Sequence, residues 1–238
     1  LGLLLLIGIG PALPWGRADN RNVRRALLFP IPAAIAGLLL TFVAGGRTWG
    51  VLATGALAAY AVWVNLDQGL RLSRKRREDE PWTEAVGEAV RRGARRYGAY
   101  FAHLGVIVTF VAIAVSSSYQ TAQEATLRPG ESMTVAGYKL TFERVEARPE
   151  PHRISDRARM RIEHNGKDAG TLEPALNRYD TRMEPIGTPA VRSAISHDLY
   201  LSLMNVGTDG SIGMRAIVTP AVVWIWIGVF IIVAGTAI

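Results

Sequence analysis

The stretch RRYGAYFAHLGVIVTFVAIAVSSS, from Arg95 to Ser118, carries a histidine, His103, inside an otherwise apolar run. On a helix rising about 1.5 Å per residue, that imidazole sits roughly 9 Å beyond Tyr97. A polar group at such depth in hydrocarbon is costly, and residues of this kind mark cofactor sites, proton pathways or interhelical contacts. Three chemistries are open to His103. A neutral imidazole can ligate haem iron axially, relay a proton, or hydrogen-bond to a neighbouring helix. Its neighbours at helical spacing are Ala99, Tyr100, Val106 and Ile107, with Ala102 and Gly105 alongside. The small ones leave room for a flat ligand.

The other polar candidates form no recognisable constellation. His152, His164 and His197 are far apart in sequence. The first two stand in charge-rich strand or loop contexts and read as surface imidazoles. His197, ahead of DLYLSL, reads the same way, with capping or bridging a strand as its other use. Asp180 and Asp198 are carboxylates with no evident partner. The chain has no phosphate-cradling Gly-rich loop followed by Lys-Ser/Thr, no His-Glu-x-x-His and no nucleophile elbow. It has no Cys, so disulfides and thiolate metal or redox sites are excluded. No catalytic residue is assigned.

The elements that must position His103 follow from where the apolar residues collect. Of the 238 residues, 49% are hydrophobic and 20% charged, and the apolar ones gather in blocks at 1–13, 26–45, 49–66, 98–118 and 221–238. About 20 apolar residues cross a 30 Å hydrocarbon core, and the complete blocks meet that length. The first begins without Met and the last stops at Ile238, so the chain is expected to be a piece of a longer membrane protein.

The net charge of +7 could suggest nucleic acid, but its distribution argues otherwise. Residues 119–219 hold 13 Lys/Arg and 13 Asp/Glu. The surplus lies in the loop 14–25, with four Arg against Asp19, and in 67–97, with nine Lys/Arg against six acids. Basic residues in alternate short loops follow the positive-inside rule. These loops are therefore cytoplasmic, residues 119–219 lie outside, and residues 220–238 form the last membrane helix. Trp82, Ala85, Val86, Ala89 and Val90 recur at helical spacing, which predicts an amphipathic helix on the membrane surface. The arginines after it face anionic lipid.

The outer segment reads as strands. Tyr138, Leu140 and Phe142 alternate with polar residues, as do Ala158, Met160 and Ile162. Asn165-Gly166 is a hairpin turn signal. RPGES supplies a turn before a strand near Met133, and two further strands flank Thr208-Asp209-Gly210. The segment 174–195 shows no period and is expected to be irregular. The fold class is a multi-pass α-helical membrane protein with an inserted extracytoplasmic all-β domain, a small sandwich or barrel of five to seven strands, before the last helix.

In order along the chain, RRYGAYFAHLG, LRPGESMTVAGYKLTFERV, HDLYLSL and WIWIGVFIIVAG resemble the C-terminal part of the CcmF family, membrane proteins of the cytochrome c maturation system. The resemblance covers nearly the whole chain from LLLLIGIGPALPW onward. It implies that His103 is one of two axial ligands to a permanently bound b-type haem in a haem lyase of the bacterial inner membrane. It also implies partners: a haem-delivering chaperone, apocytochrome c and other maturation subunits. In the mechanism it implies, electrons, from quinol, keep the incoming haem iron ferrous for thioether formation. Arg95 and Arg96, two turns before His103, are candidate contacts for the haem propionates, an inference independent of the family. The family's second axial ligand, its two outward-facing His and its Trp-rich segment lie upstream and have no counterpart here. Trp224 and Trp226 read instead as an interfacial aromatic belt. Before Asp198 the family leads one to expect a basic residue where His197 stands. The rival reading is a transporter or sensor fragment with a proton-relay His and an external binding domain. A purely structural assembly subunit is the third.

Overall fold

The apolar blocks and the alternating strands each find their element in a computed structural model, which describes residues 1–13, 20–74 and 93–238. The predicted amphipathic helix around Trp82 and most of the basic 67–97 loop lie outside the described residues. The chain divides into two compact units, Leu1–Ser118 with Trp224–Ile238, and Tyr119–Val223.

The first unit is helical. Helix α1 (Gly2–Ile9) runs into a 3₁₀ turn, followed by α2 (Asn20–Leu28), α3 (Ile31–Val43), α4 (Trp49–Arg74), α5 (Ala94–Ser118) and α6 (Val222–Thr236). Among the described residues, three stretches are long and apolar enough to cross a membrane: Val23–Val43, Trp49–Leu70 and Ala94–Ser118. Helix α6 is apolar but shorter. The 26–45 block is interrupted at Phe29–Pro30, because Pro30 offers no amide hydrogen and Pro32 sits in the first turn of α3. The buried Tyr60 hydroxyl donates to the Leu27 carbonyl at 3.1 Å, satisfying one of the groups the break leaves over. Helices α4 and α5 both outrun their apolar blocks, since the backbone ladder continues into polar helix formers such as Arg and Gln.

Close helix packing in this unit rests on small residues. A Cβ built on Gly37 of α3 would lie 2.5 Å from the Gly55 carbonyl oxygen of α4. Between α5 and α6, a Cβ on Gly105 would meet the Gly228 carbonyl oxygen at 2.7 Å, and one on Gly235 the Ala102 amide at 2.5 Å. Real side chains do not reach such distances, so these backbones touch only because glycine is there. One face of α5, Gly98, Ala102, Gly105 and Thr109, is thereby given to α6. Leu4, Ile7, Ala58, Ala61 and Ile107 form a core joining α1, α4 and α5.

The second unit is a β-domain of two sheets. One has the order β1–β10–β9–β8, built from Thr121–Leu127, Ile212–Pro220, His197–Val206 and Ala190–Ser193. The other has the order β2–β3–β4–β6–β7, from Ser132–Val135, Tyr138–Glu150, Arg153–His164, Ala175–Tyr179 and Ile186–Thr188, with β5 (Lys167–Leu172) also paired to β4. Leu140, Phe142, Ala158, Met160 and Ile162 of one sheet pack against Leu199, Leu201, Leu203, Ile212 and Met214 of the other, all essentially inaccessible. The two-residue period of the long strands β3, β4, β9 and β10 produces this, as one face of each is buried and the other more solvated.

Asn165 and Gly166 turn the β4–β5 hairpin with positive φ at both positions, 50° and 77°, as the two-residue turn requires. At the β3–β4 bulge the register slips between Phe142 and Arg144, leaving Glu143 unpaired in the ladder. Its carboxylate holds Arg159 at 3.2 Å and Arg161 at 2.8 Å. The segment 174–195 departs from expectation, because it contains β6, β7 and β8. These strands have five, three and four residues. Strand β6 is buried on both faces at Ala175, Leu176 and Asn177, and β7 is exposed throughout, so neither shows the alternation that reveals a strand. Ten strands form where five to seven were expected.

Candidate functional site

His103 lies half-buried on α5, with one side of that helix taken up by the glycine seam to α6. Its Nδ1 faces Oδ1 of Asn65 on α4 at 3.1 Å. Asn65 is only 2% exposed, and its Nδ2 donates to the Ala61 carbonyl at 2.8 Å. The two contacts together assign the donor among the facing atoms. A backbone carbonyl only accepts, so the amide nitrogen must face Ala61 and the amide oxygen must face the ring. An amide oxygen also only accepts, so Nδ1 carries the hydrogen and donates it. In the neutral ring the lone pair is then left on Nε2. A second tie between the same helices runs from the Tyr97 hydroxyl to the Gly69 carbonyl at 3.3 Å.

The interhelical hydrogen bond, one of the three uses open to His103, is thus present, and it engages one ring nitrogen. Arg95 and Arg96 stand exposed at the start of α5, eight and seven residues before His103. Asn65 was not legible as a partner: it is 38 residues away in sequence, on a helix whose rotation about its own axis no local pattern reveals. A lone Asn at the end of the 49–66 apolar block was the available signal.

The β-domain brings together two of the histidines that read as separate surface groups. Tyr138 and His164 are cross-strand partners, their rings stacked 4.2 Å apart and 14° from parallel. The Tyr138 hydroxyl lies 2.7 Å from Nε2 of His197, whose Nδ1 meets the Ser196 hydroxyl at 2.9 Å. Burial pushes the Tyr138 phenol up, with Arg192 opposing, so it stays a neutral hydrogen-bonding group. His197 therefore bridges between the sheets, the second of the two uses open to it. His152 is exposed, in the left-handed region at φ 73° in the β3–β4 turn.

Of the two carboxylates singled out by sequence, Asp198 has a partner that its sequence context did not reveal. Asp198 is buried, accepting from the Ser193 hydroxyl at 3.0 Å. Buried Asp156, not singled out by sequence, is paired with Arg178 at 2.9 Å. Among the described residues no group of three or more His, Cys, Asp or Glu could hold a metal ion. Trp224 and Trp226 are exposed near the start of α6.

Residues 118–220 match a family model described as the CcmF C-terminal beta-sandwich. The chain is 29% identical over 233 residues to the cytochrome c-type biogenesis protein CcmF of Pseudomonas fluorescens, covering 96% of this chain and 34% of that protein. It is 26% identical over 239 residues to CcmF of Pseudomonas aeruginosa, covering 99% of this chain and 35% of the relative. For Escherichia coli CcmF the figures are 27% over 236 residues, 97% and 34%. A solved structure titled Cytochrome c Heme Lyase CcmF superposes with a TM-score of 0.78 at 27% identity, covering 99% of this chain and 38% of that one. The chain thus spans about a third of the length of the curated relatives it matches.

Proposed function

The chain corresponds to a C-terminal segment of the CcmF family, and from that premise we propose that it helps a membrane haem lyase attach haem to apocytochrome c by holding a b-type haem through His103. The observation that carries this reading is the Asn65–His103 pair. It commits Nδ1 to donation and leaves Nε2 as an unprotonated donor atom, which is what an axial ligand to iron needs. The residues fit one axial position; the second ligand would come from outside this chain. A haem bound there supplies one-electron chemistry, fed by quinol, that keeps incoming haem iron reduced.

The protein's own contributions are positional. Helix α5 carries the imidazole, α4 orients it through Asn65, and the α5–α6 seam holds α5 in place. Arg95 and Arg96 offer two guanidinium groups about two helical turns, some 11 Å, before His103, a reach suited to propionates. Changing both to Gln is expected to shift the midpoint potential of the haem while leaving its occupancy near that of the unaltered protein. Spectroelectrochemistry checks this, and loss of haem with no shift in the remainder would remove the assignment. A Soret band in the purified full-length protein tests the reading as a whole; its absence would favour a proton-relay or purely structural role.

The membrane in question is the bacterial inner membrane, with residues 119–219 outside and the basic loops 14–25 and 67–97 in the cytoplasm. Haem-delivering chaperone, apocytochrome c and other maturation subunits are the partners this reading requires. Because the chain lacks Cys, single cysteines report orientation cleanly. An impermeant thiol reagent is expected to label Met183→Cys, a fully exposed position, in cells with a permeable outer boundary, and to spare Thr83→Cys. The opposite pattern would invert the orientation and move the β-domain to the cytoplasm.

A further inference from the structure

We infer that Asn65 is a positioning residue for the haem: it locks His103 in the Nδ1–H tautomer and, through the strength of that hydrogen bond, sets the redox potential. The inference rests on the reading of His103 as an axial ligand. Asn65 is a fully amidated, uncharged side chain buried at 2% exposure in α4. Burying an amide is costly unless its hydrogen-bonding groups find partners. Here the oxygen's partner is the imidazole and the nitrogen's is the Ala61 carbonyl one turn back, so the side chain is held at both ends. The ring plane of His103 is fixed by the same bond, on a face of α5 whose other side is fastened to α6 by glycine contacts.

The chemical identity of the acceptor then matters. A ligating His whose distal N–H donates to an acceptor becomes a better electron donor, and the stronger the acceptor the larger the effect. A carboxylate would draw the proton strongly and favour ferric iron. A neutral amide oxygen draws it weakly, so the iron keeps a higher potential and the ferrous state is easier to reach. That is the direction a haem reduced by quinol requires. An aliphatic residue at position 65 would provide no acceptor and would release the choice of tautomer, with Nε2–H then competing against ligation.

The test uses the full-length protein in detergent, with Asn65→Leu and Asn65→Asp beside His103→Ala. Asn65→Leu is expected to weaken haem retention roughly 10- to 100-fold, the usual cost of losing such a support, and to raise the potential of what remains. Asn65→Asp is expected to lower the potential. In haem-free protein with ¹⁵N-labelled histidine, the His103 signals, assigned by their loss in His103→Gln, should report a protonated Nδ1 and an unprotonated Nε2. An Nε2–H tautomer in that protein, or unchanged haem retention and potential in both Asn65 variants while His103→Ala loses haem, overturns the role of Asn65 alone. Haem retained with an unchanged spectrum in His103→Ala overturns the ligand reading, and the role of Asn65 with it.

Discussion

Replacing His103 by alanine in the intact protein is expected, on the proposed ligand reading, to remove the b-type haem, or reduce it to a weakly held remnant, and to abolish cytochrome c maturation while the chain still inserts. The size of the effect follows from what the side chain does: His103 is the only histidine in the described helices, and its loss takes away the one ring nitrogen this chain offers there. The substitution also leaves Oδ1 of the buried Asn65 without its donor. An orphaned buried polar group costs about 1–3 kcal/mol. That is a moderate loss for a helical unit held by its own apolar core and glycine seams, so insertion and accumulation should persist. The measurement is a reduced-minus-oxidised spectrum normalised to membrane protein content, alongside the yield of holocytochrome c. A mutant with an unaltered spectrum and midpoint potential would return His103 to an interhelical contact or a proton relay.

Ile162→Asp is expected to unfold most of the β-domain. Ile162 is wholly inaccessible, sits opposite Leu140 in the β3–β4 ladder, and lies in the core shared by the two sheets. A carboxylate there would have no cation or donor to meet it. Isolated buried charges of this kind cost on the order of 3–5 kcal/mol, a large part of the 5–15 kcal/mol that stabilises a typical domain. Its neighbour provides the contrast. Arg161 faces solvent and pairs with Glu143 at 2.8 Å, and Glu143 keeps Arg159 when Arg161 is changed to Gln. Exposed pairs contribute about 0–1 kcal/mol, so Arg161→Gln should be close to neutral. Protease cleavage within 119–223 and the thermal transition of the solubilised protein compare the two. Equal sensitivity at both positions would mean that β4 does not bury the face assigned to it.

The sequence by itself determined the division into apolar spans and a neutral β-rich segment, the faces of β3 and β4, the Asn165-Gly166 turn and the singularity of His103. These are local properties. Hydrophobic length, two-residue alternation and turn chemistry are written into neighbouring residues, and burial rewards them wherever the elements finally pack. Tertiary structure alone decided what each polar group meets. Asn65 and His103 are 38 residues apart, and Tyr138 and His197 are 59 apart. Whether they touch depends on how α4 and α5 are rotated about their axes and on how the two sheets stack. The short strands β6, β7 and β8 escaped notice for a related reason. Strands of three to five residues, buried on both faces or on neither, carry no period, and they form because β4, β6 and β9 offer backbone edges to β6, β7 and β8 in turn. Hydrogen-bond partners are chosen by geometry in three dimensions, and the tautomer of His103 is set by such a choice.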